Sequence, residues 1–336
     1  MKHLLYIGNK LSNHGYTSTS IETLGAFLES EGFRVFYASS KRNKVMRMCE
    51  MIFKTFKYGR KVDYVLIDTY STKNFWYAFV ISQLCRMMKT KYIPKLHGGN
   101  LPNRIVRSKF FSDLIFNNAY INIAPSAYLY ETFKNSGYTN LKYIPNTIEL
   151  EIYKQSVKEF KTPKLLWVRS FSKIYNPVMA LKVFIIIREA FPGAKICMVG
   201  PKKDDSHSKT VKFAKKHDID VVLTGKLSKE DWIDLSKEYN VFINTTHFDN
   251  TPISVIEAMA LGIPVVSTNV GGIPYLLEHN SNALLVDDND VEGMANQIKR
   301  LVTEENLAQH LTAKGKESVK NFDWEVVKNQ WAELLV

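Results

Sequence analysis

Cysteine is scarce. The 336 residues carry three, Cys49, Cys85 and Cys197, an odd number in apolar surroundings. That count excludes a disulfide scaffold and predicts buried, reduced thiols of a cytoplasmic protein. Neither HExxH nor CxxC occurs, and the eight histidines show no ligand spacing, so no metal and no cofactor are expected. Long hydrophobic runs are missing too. The most apolar stretch, FWYAFVISQLCRMM from Phe75, is interrupted by Gln83 and Arg86 and is too short to span a bilayer. Met1 leads directly into the strand-like HLLYIG, so no leader segment is expected. Acidic residues are the last deficit: 33 Asp and Glu against 45 Lys and Arg leave a formal net charge of +12. Such an excess favours an anionic partner, whether phosphorylated ligand, anionic membrane or nucleic acid.

What is present is a rhythm of short apolar runs and helical periods. HLLYIG, RVFYAS, DYVLIDT, KYIPKLH, YINIAPS and LKYIP occupy the first half; KLLWVRS, AKICMVG, VVLTG, VFINTT, PVVSTNV and ALLVD occupy the second. Runs that are continuously apolar, separated by helices, predict parallel sheets covered on both faces. The fold class is α/β, with two Rossmann-like doubly wound domains facing across a cleft. The boundaries expected are 1–150 for the first domain and 164–320 for the second, with ELEIYKQSVKEFKTPK as linker. Residues 321–336 form an amphipathic helix expected to pack across the domains, with Trp324 and Trp331 on one face.

Loops that follow strands are where an open α/β sheet binds ligands. In the second half, Thr251 is expected to cap a helix with Pro252 at its first position, so that the amides of Ile253 and Ser254 face the strand ends. Glu257 stands inside that otherwise apolar helix, and Asp249 lies eight residues before it. A lone carboxylate there is costly to bury unless paired. Taken alone, Glu257 reads as a structural carboxylate bonded to its neighbours; with Asp249 it reads as one of two acceptors for ligand hydroxyls. Gly271 and Gly272 follow PVVSTNV, and Arg169 and Lys173 follow KLLWV. His14 and His247 fall on predicted strand-end loops, and Asn146 is read as shaping the turn after Pro145.

The stretch FDNTPISVIEAMALGIPVVSTNVGG resembles the donor-site signature of the retaining family 4 glycosyltransferases of GT-B fold. In that family two glutamates separated by seven residues lie beside EAMA-x-G-x-PV and a Gly-Gly turn. Here the elements stand as Asp249, Glu257 to Ala260, Gly262, Pro264, Val265, Gly271 and Gly272. LHGGN at 96–100, APSAYLYETFKNSGY and YIPNTIE resemble the family's first-domain elements, so the likeness covers nearly the whole chain. It implies that Glu257 holds the ribose of a nucleotide-diphosphate sugar. Asp249, with Asn250 and the amides after it, holds the donor sugar. Arg169 and Lys173 neutralise the diphosphate, and His97 and Gly98 touch the sugar from the first domain. Gly225 and Lys226 belong to the base-contacting loop, and Gly15 and Tyr16 approach the diphosphate or the acceptor.

Aspartate replaces the first glutamate of the pair, the family's usual lysine falls near Ile174 and Tyr175, and Gly8 and Gly15 are far apart. No Asp-x-Asp metal motif stands out, so cations and helix amides are expected to stabilise the leaving group. The resemblance implies a metal-independent retaining enzyme moving a hexosyl or N-acetylhexosaminyl group to a surface-glycan or lipid-linked saccharide. The rivals are a non-catalytic partner in a glycan-assembly complex and an epimerase of the same fold. Residues 41–61, KRNKVMRMCEMIFKTFKYGRK, interleave basic residues with Val45, Met48, Ile52, Phe53 and Phe56. They read equally as an ordinary solvated helix and as a contact to an anionic membrane. No nucleic-acid module accompanies the charge. The expected location is cytoplasmic, peripheral on the inner face of the plasma membrane, with polysaccharide biosynthesis for the cell envelope as the setting.

Overall fold

All twelve apolar runs become strands in the computed structural model, which describes residues 2–15, 18–156 and 158–335. A strand apolar on successive residues is stable only where both sheet faces are covered, and both sheets here are layered that way. The chain divides into two units, Met1–Thr147 with Trp324–Val336, and Ile148–Asp323.

In the first unit, β1 (His3–Ile7), β2 (Arg34–Ala38), β3 (Tyr64–Tyr70), β4 (Tyr92–His97), β5 (Asn122–Ala124) and β6 (Leu141–Tyr143) pair in parallel. Their order is β2-β1-β3-β4-β5-β6, so the winding reverses between β1 and β3 and opens a crevice at their carboxyl ends. One helical layer buries Met51, Phe75, Ile81 and Phe116. The opposite layer holds Ile21, Leu24 and the terminal helix Trp324–Leu335. Trp324 stacks on Phe27 at 4.7 Å and donates from Nε1 to Glu31, while Trp331 is fully buried. The terminal helix, which follows the second unit in sequence, thus packs into the first unit's core. Cys49, expected to be buried, is exposed; Cys85 and Cys197 are buried.

In the second unit, β7 (Lys164–Val168), β8 (Lys195–Val199), β9 (Val221–Gly225), β10 (Val241–Asn244), β11 (Val265–Thr268) and β12 (Leu284–Val286) form a parallel sheet in the order β12-β11-β10-β7-β8-β9. Here the winding reverses between β7 and β10. The stretch expected as a linker belongs to this unit: Tyr153 is buried in its core beside Val255 and Ile256.

Candidate active site

The carboxyl ends of β7 and β10 carry Arg169 and Asp249, while Gly225 ends β9 and Gly271 and Gly272 follow β11. Arg169 follows β7 directly, and its Nη2 pairs with Oδ2 of Asp249 from the loop after β10. The guanidinium lies over the Tyr175 ring at 4.8 Å and reaches Asn244 Oδ1 from Nε at 3.5 Å. Asp249 also accepts the Asn250 amide at 2.7 Å. The strand-end cation and the turn carboxylate are thus held against one another.

Helix Ile253–Ala260 starts one residue later than expected. Pro252, not Thr251, is its N-cap, because its extended backbone leaves its carbonyl to accept the Val255 amide at 3.1 Å. The first turn keeps one further polar group: Ser254 Oγ is buried and has no hydrogen-bond partner among the described residues. Further along, Glu257 is 6% exposed. Its Oε1 accepts from Tyr153 Oη at 2.7 Å and from the Lys229 ammonium, and Lys229 also reaches Tyr153 Oη at 2.9 Å. Both bonds fall on one oxygen; among the described residues Oε2 has no hydrogen-bond partner. Burial and the Glu257 carboxylate push the Tyr153 hydroxyl far above its ordinary pKa, so it stays a donor.

The two glycines of the turn do something the sequence did not disclose. A Cβ on Gly272 would run into the Asn250 carbonyl, and one on Gly271 would stand 2.5 Å from the Asp249 carbonyl. The Gly272 amide donates to Asp249 at 2.8 Å. Their missing side chains seat the 249–250 turn against the sheet. Gly200 acts likewise, with φ +149 and its Cα packed on the Arg169 carbonyl. Its amide donates to the Gly225 carbonyl at 2.8 Å, which fixes the start of the Gly225 and Lys226 loop. Lys173 is not brought to the Arg169 pair. Its ammonium is largely exposed and faces Asp205 at 3.6 Å, while its amide bonds Asp204. His247 pairs with Asp288 at 2.8 Å.

At the carboxyl edge of the first sheet, register places Asp68 beside Lys95 and Tyr70 beside His97. Asp68 Oδ1 accepts from Tyr6 Oη at 3.1 Å and bonds His97 Nε2 at 2.8 Å. A carboxylate only accepts, so Nε2 donates and Nδ1 remains an acceptor. The imidazole stacks on Tyr70, and its burial lowers its pKa despite Asp68. Lys95 donates to Ser20 at 2.6 Å and to Asn146 at 3.2 Å. Asn146 therefore anchors a buried cation as well as following a turn. Gly98 is exposed at φ +82. Gly15 closes a short turn at φ +81, and Tyr16 lies outside the described residues. His14 bonds the Ser40 carbonyl.

A profile of the family described as Glycosyl transferases group 1 matches residues 149–318, half of the chain. The chain belongs to that family. Among curated relatives of this group 1 member, an uncharacterized glycosyltransferase of Haemophilus influenzae is 23% identical over 61% of this chain and 57% of its own. The lipopolysaccharide core biosynthesis glycosyltransferase LpsE of Rhizobium meliloti is 26% identical over 43% of this chain and 42% of its own. The matched region thus spans about half the length of these relatives. Two solved structures share the fold over nearly all of both chains at 16% identity. Sucrose-phosphate synthase of Thermosynechococcus elongatus has a TM-score of 0.82, covering 99% of this chain and 98% of that one. Anabaena HepE, solved with UDP and glucose, has 0.79, covering 100% and 99%.

In this group 1 member, Tyr153, Lys229, Gly200, Asp68 and Lys95 were not found from the sequence. Tyr153 and Lys229 sit in stretches without a motif, and nothing local marks them. Asp68 and Lys95 did leave a signal: each is a charge inside a run otherwise apolar enough to be buried on both faces. Lys95 offers a direct test. Burial lowers its pKa from 10.5 to about 8, against the pull of Asp68. The unfolded chain then binds more protons than the folded one between those values, so stability rises with pH across that window. Relative to Lys95→Met, the wild type should gain about 2 kcal/mol from pH 8 to 10, read from urea midpoints. Parallel pH profiles would show that Lys95 is hydrated.

Proposed function

We propose that this chain is a retaining, metal-independent glycosyltransferase. It takes a hexosyl or N-acetylhexosaminyl group from a nucleotide-diphosphate sugar and passes it to a surface-glycan or lipid-linked saccharide at the inner face of the membrane. The observation that carries the reading is Glu257: a buried carboxylate with one oxygen held by Tyr153 and Lys229 and the other open to a diol. Ribose is such a diol. The UDP and UDP-glucose complexes of HepE support a uridine donor, and the lipopolysaccharide role of LpsE supports a glycan acceptor.

Cleavage of a glycosyl–diphosphate bond builds negative charge on the leaving oxygen. Arg169 and the first-turn amides of Ile253–Ala260 provide fixed positive potential at the carboxyl edge of the second sheet. Asp249 shares Arg169 until a diphosphate competes for it, then turns to the sugar hydroxyls. The acceptor attacks on the leaving-group face and its proton passes to the departing phosphate. His97 offers Nδ1 to a hydroxyl.

A panel of nucleotide sugars, assayed for hydrolysis and transfer with chelator present, tests the reading. Slow hydrolysis or transfer with retained anomeric configuration supports it; interconversion of donors, or binding without turnover, overturns it. The ion pair makes a second expectation. Asp249→Asn removes a negative charge beside Arg169 and should tighten binding of nucleoside diphosphate by about fivefold while turnover falls. Titration calorimetry reads the first change, and weaker binding would mean that Arg169 is not the phosphate's partner.

A further inference from the structure

Helix Lys44–Tyr58 is apolar on two sides. Arg47, Met48, Met51, Ile52 and Thr55 face the sheet or its neighbours. The opposite face, at helical spacing, presents Val45, Cys49, Phe53 and Phe56 to solvent, with Met46 alongside. Val45 is 72% exposed, Phe53 63% and Phe56 58%. The buried side of this helix thus includes a threonine and an arginine while its wet side carries two phenylalanines, the reverse of an ordinary surface helix. Of the apolar residues interleaved with the basic ones, Met48 and Ile52 pack toward the core, and Val45, Phe53 and Phe56 face solvent.

The charges around this stripe have one sign. Lys41, Arg42, Lys44, Lys57, Arg60 and Lys61 are all exposed. The segment's one carboxylate, Glu50, is neutralised by Lys54 at 2.8 Å and bonded to Ser39. Tyr77 ties the next helix, Phe75–Met87, to the Lys44 carbonyl at 3.0 Å, and that helix adds a partly exposed Trp76 to the same layer. Apolar side chains at the centre and cations at both ends match a bilayer's acyl boundary beneath its anionic headgroups.

We propose that the solvent face of Lys44–Tyr58 docks this protein on an anionic lipid bilayer, with Phe53 and Phe56 inserted and Lys57, Arg60 and Lys61 on the headgroups. The inference deepens the membrane part of the proposed function, and its readout needs no turnover. Vesicle binding is measured without donor, so failure here leaves the donor-site reading standing, and loss of that reading leaves binding intact.

The full chain is floated with phosphatidylcholine vesicles, with and without 30% phosphatidylglycerol. Binding should require the anionic lipid and weaken with salt. Phe53→Ser with Phe56→Ser should lower the partition coefficient by about tenfold or more. Lys57→Gln, Arg60→Gln and Lys61→Gln together should lower it by about 100-fold at low salt. Both variants change exposed side chains, so their melting temperatures should match the wild type, and a circular dichroism melt checks this. Equal binding to neutral vesicles, binding indifferent to the phenylalanines, or no binding would overturn the proposal. So would a self-association that disappears in the Phe53, Phe56 variant while vesicles stay unbound, which would assign the stripe to a second copy of the chain.

Discussion

Glu257→Ala lowers kcat/KM for the sugar nucleotide by roughly 10²–10⁴-fold, an expectation that follows from two charge-assisted hydrogen bonds at about 1.5–3 kcal/mol each. Most of the loss should appear as weaker donor binding, because ribose lies away from the reacting bond and is gripped equally in ground and transition states. Glu257→Gln keeps the shape and one acceptor and should fall between. The fold should survive: Lys229, left without its partner, is 43% exposed at the side chain and can hydrate. Titration with nucleoside diphosphate separates this reading from a structural one. If Glu257→Ala binds the diphosphate as tightly as the wild type, the carboxylate serves only Tyr153 and Lys229.

The second large effect concerns stability. Gly272→Ala places a methyl group where the Asn250 carbonyl now sits, and neither backbone can yield without moving the turn that carries Asp249. Overpacking against main chain should cost about 3 kcal/mol, which for a unit of this size lowers the melting temperature by roughly 6–12 °C. Gly271→Ala adds strain, since φ there is +56. A melting temperature within a degree of wild type would show that the two loops are not in contact. Donor affinity should fall with stability in these variants, because the displaced turn carries the partner of Arg169. The Gly-Gly pair is therefore first a device for packing one loop on another.

Much of this was legible in the chain because the relevant physics is local. Continuous apolar runs such as DYVLIDT and KLLWVRS admit only covered parallel strands, and their alternation with helices leaves few topologies. Thr251-Pro252 announced a helix start within one residue of the observed one. Where the signal failed, the determining contact joins residues far apart in sequence. Tyr153 and Lys229 meet Glu257 from positions 104 and 28 residues away. No spacing rule encodes such a meeting. Lys173 was expected to meet a diphosphate; its ammonium is largely exposed and faces Asp205 at 3.6 Å.

The sequence by itself determined two α/β units and the family to which the chain belongs, since apolar periodicity and the EAMA stretch are properties of contiguous residues. Tertiary structure alone decided which carboxylate oxygen is engaged, that Arg169 and Asp249 hold each other, and that the terminal helix closes the first core. It also decided which side of Lys44–Tyr58 meets water. A helix that is apolar on two sides satisfies the pattern in either orientation, and only packing against the sheet selects one.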